Sequence, residues 1–150
     1  MELKSPEFEN EGMIPSKFTC DGANVSPALE WSAVSENTKS IAMICDDPDA
    51  PIGTWVHWVY YDIPADTSGI PEDVGPKDNP ECGGTQGRSD FGAIGYGGPC
   101  PPGGTHRYFF KLYALDALLD LAPGATKSEL LSGMEGHIIE KTELMGKYKR

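Results

Sequence analysis

Three stretches of the chain carry most of its hydrophobic pattern. Ser40 to Cys45 (Ser-Ile-Ala-Met-Ile-Cys) is a short apolar run suited to a buried strand. Trp55 to Ile63 is rich in β-branched and aromatic residues, which is strand chemistry. Strict alternation there puts Trp55, His57, Val59, Tyr61 and Ile63 on one face, with Val56, Trp58, Tyr60 and Asp62 on the other. Thr105 to Leu115 reads the same way. His106, Tyr108, Phe110, Leu112 and Ala114 share one face, and Arg107, Phe109, Lys111, Tyr113 and Leu115 take the other. Both strands are apolar on both faces, which predicts central strands covered on each side. Between them, Asp66 to Pro102 is dense in Gly and Pro with little periodicity, predicting a long loop that is functional or specially packed. Further on, Thr126-Lys127-Ser128-Glu129 has the form of a capping box. Leu131, Met134, Ile138, Met145 and Tyr148 follow at near-helical spacing, with Leu130 and Ile139 alongside. The pattern predicts one amphipathic helix packed on the sheet and carrying His137, despite Gly133 and Gly136, each costing about 1 kcal/mol relative to Ala. The fold class is therefore mainly β, with one substantial helix.

Composition narrows this picture. A chain of 150 residues is long enough for one domain, here residues 1–150, with a core that needs no metal or disulfide staple. Its net charge of −11 argues against nucleic acid, whose phosphates require a basic surface, and against broad docking on anionic membranes. Met1 to Glu11 is acidic and lacks the apolar core of a signal peptide, and no stretch approaches the roughly 20 apolar residues of a membrane-spanning helix. A cytoplasmic location and no integral membrane contact are the expectation. Cys20, Cys45, Cys82 and Cys100 lie far apart without a Cys-x-x-Cys pair, so the expected state is four reduced thiols. A disulfide is the alternative if the source is a hyperthermophile.

The candidate chemistry gathers where rigid loops meet the two long strands. Asp47-Pro48-Asp49-Ala50-Pro51 presents carboxylates from a backbone stiffened by two prolines, just ahead of His57. Tyr96 to Thr105 precedes His106 and holds glycines at 97, 98, 103 and 104, which allow a ligand to approach the backbone. Successive amides in such a loop can form an anion-binding nest. It is not a nucleotide-binding Gly-rich loop, because Gly-Lys-Ser/Thr is missing and a strand follows in place of a helix. A lone strand histidine among aromatic residues is more often a hydrogen-bonded core residue than a ligand; two of them beside Pro/Gly loops point to a shared polar pocket.

The ordered set Asp47-Pro48-Asp49-Ala50-Pro51, Trp55-Val56-His57-Trp58, Asp90-Phe91-Gly92, Gly95-Tyr96-Gly97-Gly98-Pro99 and His106-Arg107-Tyr108 resembles the phosphatidylethanolamine-binding protein family, also called the Raf kinase inhibitor protein family. Phe18 to Pro27 resembles the opening of its bacterial and archaeal branch, and Gly136-His137-Ile138 with Leu144-Met145-Gly146 resembles that branch's closing segment. The match runs from about Phe18 to Tyr148. The resemblance implies an antiparallel, Greek-key-like β-sandwich with a C-terminal amphipathic helix. It also implies a small surface pocket for phosphate-like anions, built from Asp47, Asp49, His57, Gly98, Pro99, His106 and Tyr108. One departure stands out: Ser89 precedes Asp90-Phe91-Gly92 where the family usually has Asn. The longer segments of the eukaryotic members are missing, so the resemblance alone does not carry over kinase inhibition or flowering-type signalling.

Three functions compete on these grounds. The leading one is a binding protein for a small anion or phosphorylated head group that acts without a cofactor or metal and modulates a protein partner such as a kinase or protease. In it the aspartates orient the imidazoles. A hydrolase acting on a phosphoester or ester through the Asp/His pocket is the second, but it lacks an evident nucleophile; no Gly-x-Ser-x-Gly elbow is present. A metal site from Asp47, Asp49, His57 and His106 would lack the usual ligand spacing. The third is an inhibitor or scaffold that presents the Asp66–Pro102 segment to a target. A homodimer is expected by analogy with prokaryotic relatives.

Overall fold

A computed structural model describes residues 1–150 as two antiparallel sheets and one short α-helix. The smaller sheet joins β1 (Leu3–Lys4), β2 (Leu29–Trp31) and β5 (Gly69–Ile70) in the order β1-β2-β5. The larger contains β3 (Ser40–Asp47), β4 (Trp55–Pro64), β6 (Thr85–Gln86), β7 (Thr105–Leu115) and β8 (Ile138–Lys149), in the order β6-β4-β3-β7-β8. Every residue of β3 is buried, as its continuous apolar run requires of a central strand. The chain forms the β3–β4 hairpin, travels through β5 and β6, and returns as β7 on the far side of β3. That return makes the arrangement Greek-key-like.

One face of the large sheet packs on the small one: Ile41, Met43, Cys45, Trp58, Tyr60, Tyr108, Phe110 and Leu112 meet Leu3, Leu29, Trp31 and Ile70. On the other face, Ala42, Ile44, Val56, Val59 and Tyr61 lie under Leu130 and Met134 of the helix α1 (Lys127–Met134). Burying each of those two helical side chains contributes roughly 1.5–3 kcal/mol. The capping box is complete. Thr126 Oγ1 accepts from the Glu129 N–H at 3.2 Å, and Glu129 Oε1 accepts from the Thr126 N–H at 3.0 Å.

The helix is shorter than its sequence pattern implies. It ends at Met134, Gly136 turns the chain at φ 81°, and residues 138–149 form a strand paired with the whole length of β7. Met145 and Tyr148, grouped above on one helical stripe, fall on opposite faces of β8. His137 sits in the connecting turn, where its Nδ1–H donates to Asp116 Oδ1 at 2.7 Å. The physical reason is the exposed edge of β7: its N–H and C=O groups need a partner, and only a strand supplies one.

The alternation expected for Trp55–Ile63 is also broken, by two bulges. Cys45 faces Trp58 while Asp46 faces Val56, so His57 is the extra residue of the first; a second falls between Ile41 and Met43. Val56 therefore packs with Val59 and Tyr61, and Ile63 packs with Trp58 and Tyr60. The long Asp66–Pro102 segment is specially packed and contributes β5 and β6. The expected reduced state fails for two of the four cysteines: Cys20 and Cys100, separated by 80 residues, form a disulfide. In the chain-entropy account, closing a loop of that length stabilises the fold by roughly 4–5 kcal/mol. Cys45 and Cys82 remain thiols.

Candidate functional site

The bulge at His57 is what assembles the site. An extra residue in one strand re-aims its side chain, and here it brings the His57 ring onto the Tyr108 face of the sheet, edge-on to Tyr108 with centroids 5.1 Å apart. On β7, unbroken alternation carries His106 and Tyr108 to that same face. Asp47 ends β3 between them. Asp47, His57, His106 and Tyr108 line one pocket of about 350 Å³ together with Ala50, Pro51, Ile52, Trp55, Phe91, Cys100, Pro101 and Pro102. That volume lies within the range of about 300–1,000 Å³ usual for small-molecule sites.

Each imidazole is held by its Nδ1. His57 Nδ1–H donates to the Gly97 carbonyl at 2.6 Å, and His106 Nδ1–H donates to Asp47 Oδ2 at 2.7 Å. These bonds fix the tautomer, and neither Nε2 has a hydrogen-bond partner within the chain. A neutral ring then offers Nε2 as an acceptor, and a protonated ring offers it as a donor. Burial holds His57 below the ordinary histidine pKa, against the opposing pull of the Gly97 carbonyl and Asp47. Tyr108 is buried and its hydroxyl has no partner; burial pushes its pKa well above the ordinary tyrosine value.

The other expected site residues face elsewhere. Asp49 forms a bidentate pair with the exposed Arg107 guanidinium at 2.8 and 2.9 Å, and also accepts from the Arg107 amide. Arg107 holds the Asp49 carboxyl below its usual pKa. Of the two aspartates, then, only Asp47 orients an imidazole. Gly98 and Pro99 are buried against the segment 18–24 and do not line the pocket. Gly98 N–H donates to Asn24 Oδ1 at 2.9 Å, and Pro99 O accepts from the Cys20 N–H at 3.1 Å. A Cβ at Gly98 would lie 2.2 Å from the Phe18 carbonyl, so glycine is needed there for close packing. Gly97 and Gly104 also spend their amides on backbone carbonyls. The amide nest expected in this loop is replaced by a tight seam.

Sequence reasoning overlooked the apolar wall. Phe91 stands edge-on to both Trp55 and His57, with centroids 5.5 and 5.3 Å away. Asp90 positions it by accepting from the Val56 N–H at 2.7 Å. Ser89 takes part in the same turn: its Oγ accepts from the Phe91 N–H at 3.3 Å. Ile52, 88% exposed, stands at the rim. The parity that paired Trp55 with His57 was the one available signal. No group of three His, Cys, Asp or Glu side chains is arranged to hold a metal ion, and no helix is long and apolar enough to cross a membrane.

Fold and site together define a two-sheet β-sandwich with a histidine-lined surface pocket at one end of its larger sheet. Residues 4–149 match the family model described as phosphatidylethanolamine-binding protein. The chain belongs to the phosphatidylethanolamine-binding protein family. It is 52% identical over 150 residues to a UPF0098 protein of Methanothermobacter thermautotrophicus, covering 100% of this chain and 99% of that one. A UPF0098 protein of Pyrococcus horikoshii is 50% identical over 156 residues, covering 100% of this chain and 78% of that one. Among solved structures, a putative phosphatidylethanolamine-binding protein homologue from Chlamydia trachomatis superposes with a TM-score of 0.92 at 40% identity, covering 99% of this chain and 97% of its own. An Escherichia coli protein described as a new member of the mammalian family gives 0.91 at 34% identity, with coverage of 99% and 98%.

Proposed function

We propose that the pocket binds the phosphate-bearing head group of a small molecule, with the phosphate at the Nε2 edges of His57 and His106 and the organic part against Phe91, Ile52 and Pro102. The observation that carries this reading is the commitment of both Nδ1–H groups inside the protein, which leaves two fixed, unpartnered Nε2 atoms in one pocket. The family's description, a phosphatidylethanolamine binder, agrees with that chemistry. A phosphate monoester suits it at either protonation state. Its P–OH donates to a neutral Nε2, and its oxygens accept from a protonated one.

Titration of inorganic phosphate and phosphoethanolamine into the wild-type protein, followed by calorimetry, tests this directly. Saturable binding is expected, and His106→Ala is expected to remove it. Unchanged binding in that variant would move the site elsewhere. The Asp47–His106 pair also has the arrangement of a general base, for which water would be the nucleophile. Release of product from a phosphoester during the same titrations would replace binding with hydrolysis.

The pH dependence has a definite sign. Burial lowers the His57 pKa in the free protein, so the ring is neutral near pH 7. An anion favours the protonated ring and raises that pKa. Affinity is therefore expected to increase as pH falls below about 6.5, with proton uptake on binding measurable by calorimetry in buffers of different ionisation enthalpy. Affinity that stays flat between about pH 5 and 8 would remove histidine protonation from recognition.

A further inference from the structure

The Cys20–Cys100 disulfide lies at the pocket, and the segment it anchors has few other tethers. Cys100, Pro101 and Pro102 form one wall. Before them, Pro99 is bonded through its carbonyl; after them, Gly104 pairs with Arg150 through two backbone bonds. Residues 100–103 make no backbone hydrogen bond of their own among the loop bonds, and two of the four are prolines without an N–H. Packing of the buried Pro101 and the disulfide hold this wall in place.

The two sulfurs are chemically unequal. Both cysteines are exposed, so a thiol in solution can reach them. The Arg150 guanidinium lies 3.2 Å from Cys100 Sγ, where it would stabilise a thiolate. Cys20 is followed by Asp21, whose carboxylate lies 3.4 Å from Arg150 Nε and accepts from Tyr148 Oη at 2.6 Å. The charged group within hydrogen-bond reach of either sulfur is Arg150, at Cys100, which makes Cys100 the better leaving group.

We infer that Cys20–Cys100 is a thiol-exchange site in which an external thiolate attacks Cys20 Sγ and the departing Cys100 thiolate frees one wall of the pocket. The attack forms an S–S bond between the incoming sulfur and Cys20 and breaks the Cys20–Cys100 bond. The electron pair of that bond leaves on Cys100, beside Arg150. A second thiol then releases Cys20 as a thiolate and departs as the external disulfide, so two external thiols supply the two electrons. Freeing the wall removes preorganisation from the pocket, and reduction weakens ligand binding. The exchange chemistry stands on its own, whereas the effect on affinity rests on the phosphate-binding reading.

The test begins with oxidised protein and limiting glutathione, quenched by alkylation and mapped by peptide mass spectrometry. The expected mixed disulfide is on Cys20, with Cys100 alkylated. Arg150→Gln, which keeps the backbone pairing with Gly104, is expected to slow reduction roughly three- to tenfold. Adducts shared equally between the cysteines, or an unchanged rate in Arg150→Gln, would overturn the assignment of the leaving sulfur. Phosphoethanolamine is then titrated into oxidised protein, reduced protein and the unbridged Cys20→Ser/Cys100→Ser variant, while imidazole NMR signals of His57 and His106 are followed. Weaker binding with shifted histidine signals in both unbridged forms supports the latch. Equal binding and unmoved signals would sink it while leaving the pocket reading intact. Absence of binding to the oxidised protein would sink the pocket reading alone, and the histidine signals would still report whether the wall is released.

Discussion

Asp47→Ala is expected to destabilise the protein by about 2–3 kcal/mol and to weaken phosphate binding by roughly tenfold or more. Asp47 is 3% exposed and His106 is 7% exposed, so the bond between them is shielded from water. The carboxylate also accepts from the Asp49 N–H at 2.7 Å. Truncation leaves a buried Nδ1–H and a turn amide without their acceptor, and such orphaned groups bear the desolvation penalty. It also frees the imidazole to rotate and to exchange tautomers, so Nε2 is no longer fixed as the group facing the ligand. Asp49→Ala is the informative contrast. That residue pairs with Arg107 at the surface, where an ion pair contributes about 0–1 kcal/mol, and phosphate affinity should change little. Urea unfolding and calorimetry on both variants measure the two effects. Equal losses in Asp47→Ala and Asp49→Ala would contradict the division of roles between them.

Gln86→Leu is expected to cost about 2–4 kcal/mol in urea unfolding, although the new side chain is apolar and of similar length. Gln86 is fully buried. Its Oε1 accepts from the Trp58 indole N–H at 2.7 Å, and its Nε2 donates to the carbonyls of Gly75 and Lys77 at 2.8 Å each. Leucine would leave the buried indole N–H unsatisfied and detach the segment around residues 75–77 from the sheet. The Lys77 carbonyl lies near the surface and can turn to water, which keeps the estimate below three full penalties. Faster cleavage of the 72–84 region by a protease should accompany the loss. A cost under about 1 kcal/mol would show that this segment is held by its prolines and not by one amide.

The β7 strand could be read correctly from its alternation because no bulge interrupts it over Phe109–Leu115, where it pairs with β3. The same reasoning failed on β4, where His57 and the residues around Asp62 add a step to the count. A bulge depends on the partner strand, and nothing in the residues of β4 announces it. The helix start was visible because a capping box is local. Its end was hidden, since Gly133 and Gly136 only weaken a helix, while the pairing of β8 with β7 is a long-range event. Of the residues that the loop-and-histidine pattern singled out, Asp47, His57, His106 and Tyr108 line one pocket. Asp49, Gly98 and Pro99 lie outside it, their polar groups spent on Arg107 and on the segment 18–24. The Cys20–Cys100 bridge had no local spacing to reveal it.

The outer edge of β8 is covered by the N-terminal segment: Glu11 and Ile14 donate to the carbonyls of Met145 and Lys147, and the Lys147 amide donates back to Gly12. Residues from the beginning of the chain thus cover a strand made near its end. During synthesis, β1 can pair with β2 early, but residues 11–14 have no strand to rest against until residues 138–149 have cleared the ribosome. The β8 edge of the large sheet must therefore form after translation of that segment, and until then β7 presents an unpaired edge to other nascent chains.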